Sequence, residues 1–257
     1  MAILCLTSSG GSPGVTTLAV GLALTWPRPV LLADCDPGAH QGVLAGYLSG
    51  RSAGGKGLLR VAEAHRDRRP LREVVLDQSL LLADSAGHRR LLLPGFTRPS
   101  SAAHFTGVWS DLAETFDRLD EVEMDVIVDL GRLGPLGLPP ALAERSALTA
   151  VVLSSSLRAV MSARVHLPAV TGSGRSNGGN GLVLVDEGRP YRSREISRAL
   201  GLPVLASIPR DDDSAAHFSD GAPRHRKFEG SAYLRAVRAA TATFADELQR
   251  SSDLVRS

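Results

Sequence analysis

A doubly wound α/β domain, its mostly parallel twisted sheet of seven or eight strands covered by helices on both faces, is the fold the sequence predicts. Three observations carry that prediction. Short β-branched or leucine-rich runs alternate with longer stretches of helical periodicity, the order that yields a parallel sheet. A glycine-rich turn within Ser8–Thr17 joins the first apolar run to the first helical one. The 257 residues, 43% apolar and 22% charged, suffice for one domain, residues 1–257, with a sizeable core, and exclude a disordered chain or a small disulfide scaffold.

Ala2–Thr7 is the first expected strand. Thr16–Thr25 repeats apolar residues at helical spacing and stops at Trp26-Pro27, after which Val30–Ala33 forms a strand ending in Asp34-Cys35-Asp36. Leu44–Gly57, rich in glycine, reads as a mobile surface loop. Helical patterns cover Leu58–His65 and Leu71–Asp77. Leu80–Ala83 and Arg90–Leu93 read as a small hairpin or a strand pair ending at Pro94-Gly95, and a longer amphipathic helix is expected over Ala102–Leu119. In the second half, Asp125–Asp129, Thr149–Leu153, Gly181–Val185 and Val204–Ile208 read as strands, with helices near Leu157–Val170 and Ser193–Leu200. Ser173–Gly181 is a loop, because the alternation resumes directly after it. A last helix spans about Ala232–Arg250, and its Leu234, Val237, Phe244 and Leu248 suit docking on the sheet better than lying on a membrane.

Composition narrows the function further. The 29 basic and 27 acidic residues leave a net charge of +2, so bulk charge gives no argument for a nucleic acid or membrane partner. Arg66–Arg69, His88–Arg90 and Arg224–Lys227 read as solvated charged faces, and 4% aromatics argue against stacking on single strands. Cys5 and Cys35, isolated from each other, read as small buried residues in a reducing compartment. The seven histidines lack the spacing of a zinc site on one helix. Leu18–Trp26 is too short to span a bilayer and no basic segment precedes it, so a cytoplasmic protein is expected. Ser154-Ser155-Ser156 follows a strand and suits a helix cap, and no GxSxG pattern supports a hydrolase.

The turn after the first strand is the one segment that points to chemistry. There, uncapped backbone N–H groups and a helix dipole converge on an anion. Residues Ser8 to Thr17 match GxxxxGK[ST] only at Gly14 and Thr16, with Ser9 at the first glycine and Val15 at the lysine. The next strand, Leu31-Leu32-Ala33-Asp34-Cys35-Asp36-Pro37-Gly38, sets two carboxylates beside the turn. With these residues the chain resembles the ParA/MinD family of deviant Walker-motif ATPases. Val126-Ile127-Val128-Asp129 is similar to the family's Walker B strand, and Gly201-Leu202-Pro203-Val204 with Ile208-Pro209-Arg210-Asp211 to its LGLPV and IPRD segments, so the likeness extends over roughly residues 3–250.

The resemblance implies a P-loop NTPase-like fold with ATP and Mg²⁺ as cofactors. Thr16 would hold the ion through its hydroxyl, Asp129 through water, and Asp36 would orient the attacking water. Gly11, Ser12, Gly14, Val15, Thr16 and Thr17 would line the phosphates, and Asp186, Pro209, Arg210 and Asp211 the rest of the nucleotide. It also implies a homodimer, protein partners from a secretion or segregation system, non-specific DNA contact, no integral membrane segment, and recruitment to membrane, cell pole or nucleoid.

The departures weigh as much as the matches. The family's two loop lysines are replaced by Gly10 and Val15, and Pro13 removes one backbone donor. Uncompensated phosphate charge in a low-dielectric site should cost several kcal/mol of binding or transition-state stabilisation. Asp186 stands where an adenine-contacting Asn is usual. Three readings stay open: a pseudo-ATPase acting as a positional or scaffolding protein, similar to lysine-poor TadZ/CpaE-like members; a working ATPase of chromosome or plasmid partitioning whose cation is an arginine from elsewhere; or a cradle for a smaller or different anion or for a partner's acidic group. A dethiobiotin-synthetase-like enzyme shares the fold but requires the lysine that Val15 replaces.

Overall fold

Apolar side chains alternate along each strand and set the layers. In β1 (Ile3–Ser8), Ile3 and Cys5 join one core while Leu4 and Leu6 join another, all of them buried, as a strand covered on both faces requires. The structure, a computed structural model, describes residues 3–11, 14–85, 88–103, 105–133, 137–171 and 179–256. Helix α1 (Val15–Thr25) and β2 (Val30–Asp34) follow, then α2 (Leu58–Arg66), α3 (Leu71–Asp77), β3 (Leu80–Ser85) and β4 (His88–Leu93). Next come α4 (Pro99–Ala103), α5 (Trp109–Asp117), β5 (Asp125–Arg132), α6 (Pro140–Arg145), β6 (Ser146–Ser154) and α7 (Leu157–Thr171). The chain closes with β7 (Gly179–Val185), α8 (Ser193–Leu200), β8 (Val204–Ile208), α9 (Asp212–Ser219) and α10 (Ala232–Arg256).

The eight strands form one sheet in the order β3-β4-β2-β5-β1-β6-β7-β8, parallel throughout except for β3 against β4. The expected doubly wound α/β architecture is therefore present. Residues of α2, α3, α5, α6, α7 and α8 fill one core, and residues of α1, α9 and α10 fill the other. The chain winds from β1 to one side through β2 and to the other through β6, so a crevice opens at the carboxyl end of β1.

Several local expectations are corrected. The single helix over 102–119 is broken into α4 and α5. Gly107 lies in the break, and Phe105 is buried there edge-on to Phe96 and Trp109, with ring centroids 5.2 and 4.6 Å away; this aromatic contact outweighs helical continuity. The expected loop over 44–57 begins inside a π-helical turn, Val43–Tyr47, that buries Val43 and Leu44. Helices α6 and α9 have no counterpart among the sequence expectations, while residues 173–178 of the expected Ser173–Gly181 loop lie outside the described residues and Gly179–Gly181 open β7.

Arg90 is not part of a solvated face. It is 4% exposed, and its Nε and Nη2 donate to the carbonyls of Ala23 (3.0 Å) and Trp26 (3.2 Å), which satisfies the C-terminal end of α1. Beside it, Asp125 Oδ2 accepts from Trp26 Nε1 at 2.8 Å and from Arg28 Nε and Nη2 at 2.9 and 2.7 Å. On α10, Leu234, Val237, Phe244 and Leu248 are all buried against the sheet. Among the described residues no helix is long and apolar enough to cross a membrane.

Candidate functional site

Sheet register brings the carboxylates together before any side chain is considered. Asp34 at the end of β2 lies across from Asp129 of β5, and Asp129 lies across from Leu6 of β1. Residues that left β1 therefore pass directly over the carboxylate pair. Thr7 Oγ1 donates to Gly131 O at 3.2 Å, and Leu133 N donates to Ser8 O at 2.8 Å, tying the start of the turn to the end of β5. Gly14 is left-handed (φ 87°, ψ 38°) at the N-terminus of α1, where no side chain caps the first turn. Its free N–H groups are the anion-facing half of the site. Ser12, a predicted phosphate contact, and Pro13 lie outside the described residues.

The lysine positions are filled in ways the sequence does not announce. Val15 is 6% exposed and belongs to the apolar core beneath α1. At Gly10, Ser162 of α7 donates its hydroxyl to the neighbouring Ser9 carbonyl at 2.8 Å, and a Cβ on Gly10 would stand 3.1 Å from Ser162 Oγ. Helix α7 thus occupies the space a longer side chain would need. Ser162→Ala should free the turn and lower stability by about 1 kcal/mol, read as a small fall in melting temperature with unchanged far-ultraviolet circular dichroism; no fall would show that the latch contributes nothing.

The carboxylates are buried with little to neutralise them. Asp129 is fully buried; its Oδ1 accepts from Gly131 N at 2.9 Å. The Thr16 hydroxyl is near enough to lower the pKa of Asp129, yet it closes no hydrogen bond to Oδ2, which has no partner among the described residues. Burial nevertheless dominates and pushes Asp129 up to about 6. Asp34 is pushed up to about 8, first by burial and then by the neighbouring charge of Asp129. Among the described residues neither is ion-paired, and only exposed His40 pairs with Asp36, Nδ1 to Oδ2 at 2.7 Å. The other oxygen of Asp36 accepts from Gly38 N at 2.8 Å, so this predicted catalytic carboxylate also stabilises its own turn. Gly131 (φ 58°) must lack a side chain, because a Cβ there would collide with the Asp36 carboxyl group.

The remaining predicted contacts lie at the same edge of the sheet, each with local work. Asp186, after β7, accepts through its carbonyl from Ser155 Oγ at 2.6 Å and faces Arg189. Pro209 follows β8, and Arg210 pairs with Asp212 at the surface. Asp211 caps α9, accepting from Ser214 N at 3.0 Å and Ser214 Oγ at 2.7 Å. Ser156 accepts from Ala159 N at the start of α7, the expected cap. Cys5 and Cys35 are free and buried, and burial raises both thiols, Cys5 to about 12.

Thr16 and the unpartnered Asp129 oxygen fit a divalent cation that keeps most of its ligands from water and phosphate. Among the described residues no cluster of three or more carboxylates, histidines or cysteines offers a complete cage. The anion half fits a triphosphate poorly, since backbone N–H groups are present but no lysine stands in the turn.

Solved structures share the whole fold. The Pyrococcus furiosus cell division ATPase MinD matches with a TM-score of 0.69 and 17% identity over 95% of this chain and 98% of that one. A ParA family ATPase from Chlorobium tepidum matches at 0.67 and 16% over 97% and 96%. A plasmid partition protein from Borrelia burgdorferi, solved with AMPPNP, matches at 0.64 and 14% over 96% and 98%. By sequence, no family model and no curated protein matches the chain.

Proposed function

We propose that this chain is a ParA/MinD-type positional or scaffolding protein, a pseudo-ATPase whose phosphate turn keeps its shape but has lost the cations that make nucleotide binding tight. The observation that carries the reading is Val15, 6% exposed in the apolar core at the position of the ammonium group in a standard P-loop. The carboxylates of Asp36 and Asp129 beneath an anion site without lysine reinforce it, because when ionised they repel phosphate unless a metal ion intervenes. The role resembles that of TadZ/CpaE-like proteins, which localise pilus secretion machinery. Homodimerisation and protein partners of such a system belong to this reading.

A second reading is an active ParA-type ATPase of chromosome or plasmid partitioning. The unpartnered Asp129 oxygen near Thr16 favours it, since Mg²⁺ held there would neutralise phosphate charge and so supply part of what the lysines no longer do. Calorimetric titration with ATP and ADP, with and without Mg²⁺, together with phosphate release, separates the two. The scaffold reading expects no saturation below about 1 mM nucleotide and no phosphate release. Micromolar Mg²⁺-dependent binding abolished by Thr16→Ala would overturn it, and hydrolysis lost in Asp36→Ala would establish the ATPase. Retention on duplex DNA that falls steeply with salt would favour partitioning over scaffolding.

A further inference from the structure

Among the described residues six large apolar side chains stand exposed, and three of them share one helix: Leu157, Met161 and Val165 of α7, at 57%, 50% and 72%. Their i, i+4, i+8 spacing stacks them in a single outward stripe. The opposite face of α7 already buries Val160, Ala163, Leu167 and Val170. The helix is therefore apolar on two sides, and only one is covered, which the fold of a single chain does not require. Alongside the stripe, Arg164, Leu167, Pro168, Leu200 and Leu202 help line a groove of about 440 Å³ between α7 and the end of α8.

Charge identifies what fits there. Arg158 and Arg164 flank the stripe, both exposed, and neither has an ion-pair partner among the described residues. Helix α7 carries no acidic residue. Neighbouring α8 adds exposed Arg194 and Arg198, while its one acid, Glu195, accepts the backbone N–H of Arg192 at 2.9 Å. We propose that this face docks an acidic amphipathic helix of a partner protein, its apolar residues on Leu157, Met161 and Val165 and its carboxylates on Arg158 and Arg164. A second copy suits the face poorly, because α7 against α7 sets arginine against arginine. A bilayer surface would leave the groove unfilled, and duplex DNA offers nothing to the stripe. The proposal does not depend on whether nucleotide binds.

The probe is a labelled synthetic helical peptide of about 18 residues, with a leucine stripe flanked by glutamates, beside the same peptide with lysines for glutamates; the readout is fluorescence anisotropy. Saturable binding of the glutamate peptide alone is expected, weakened about tenfold by Met161→Ser with Val165→Ser. Arg158→Glu with Arg164→Glu should reverse the preference toward the lysine peptide, a gain that misfolding could not produce. Equal affinity for both peptides, or binding indifferent to these substitutions, would overturn the proposal. So would co-sedimentation with phosphatidylglycerol vesicles that Met161→Ser abolishes, which would assign the face to lipid, or a concentration-dependent dimer dissolved by Met161→Ser, which would assign it to a second copy.

Discussion

Val15→Lys is expected to tighten Mg²⁺-dependent ATP binding by about tenfold to a hundredfold, while lowering the stability of the ligand-free protein. The gain follows from one charge-assisted contact of about 1.5–3 kcal/mol delivered from the first residue of α1, where the backbone already presents uncapped N–H groups. The loss has two sources. Removing a valine from the core beneath α1 costs about 1–2 kcal/mol, and a cation at a helix N-terminus opposes the dipole until an anion arrives. Nucleotide should therefore raise the melting temperature of the lysine variant by linkage and leave that of the parent nearly unchanged. Val15→Met, apolar and unbranched, is the control and should gain nothing. Thermal shift and calorimetry on the three proteins check this; a folded lysine variant with no gain would show that the absent cation is not what weakens the site. Lysine at position 10 is not equivalent, because Ser162 stands 3.1 Å from the place its Cβ would take.

The strand positions and the mostly parallel layout were legible because the strands are short apolar runs and most helices periodic ones, down to the identical bounds found for α8 and β8. The Asp34 and Asp36 pair was legible for a related reason: polar residues closing an apolar strand announce its carboxyl end. What escaped is long-range. Ser162 comes to Ser9 across 153 positions of sequence, and nothing in either segment marks the contact. Arg90 read as one of a basic trio, yet its guanidinium is drawn inward by carbonyls at the end of α1. Asp211 carries a visible cap signature, with Ser214 three residues on, inside the segment that resembles the family's IPRD. The stripe on α7 was present as spacing, and only the packing of the neighbouring elements decides which apolar face stays uncovered.

Stability of the ligand-free protein is expected to fall as pH rises from about 5 to about 9, by an amount on the order of a few kcal/mol. Both carboxyls responsible have folded-state values raised by burial, Asp129 to about 6 and Asp34 to about 8, against about 3.9 in an unfolded chain. Between those limits the folded state binds more protons than the unfolded one, so the contribution is complete below about pH 4 and is lost as pH climbs through about 6 and then about 8. Urea unfolding across this range checks the trend. Asp34→Asn should flatten its upper part, since an amide there needs no proton to remain neutral. Mg²⁺ should act in the opposite sense to alkali: once Asp129 is ionised, its unpartnered Oδ2 attracts a divalent cation, and the stabilisation by Mg²⁺ should be larger at pH 8.5 than at pH 5.5. A wild-type profile that is flat or rising through this window would mean that water or a cation already compensates these buried charges. The physical objection to phosphate above an ionised Asp129 would then lose its force, and the ATPase reading would gain what the scaffold reading lost.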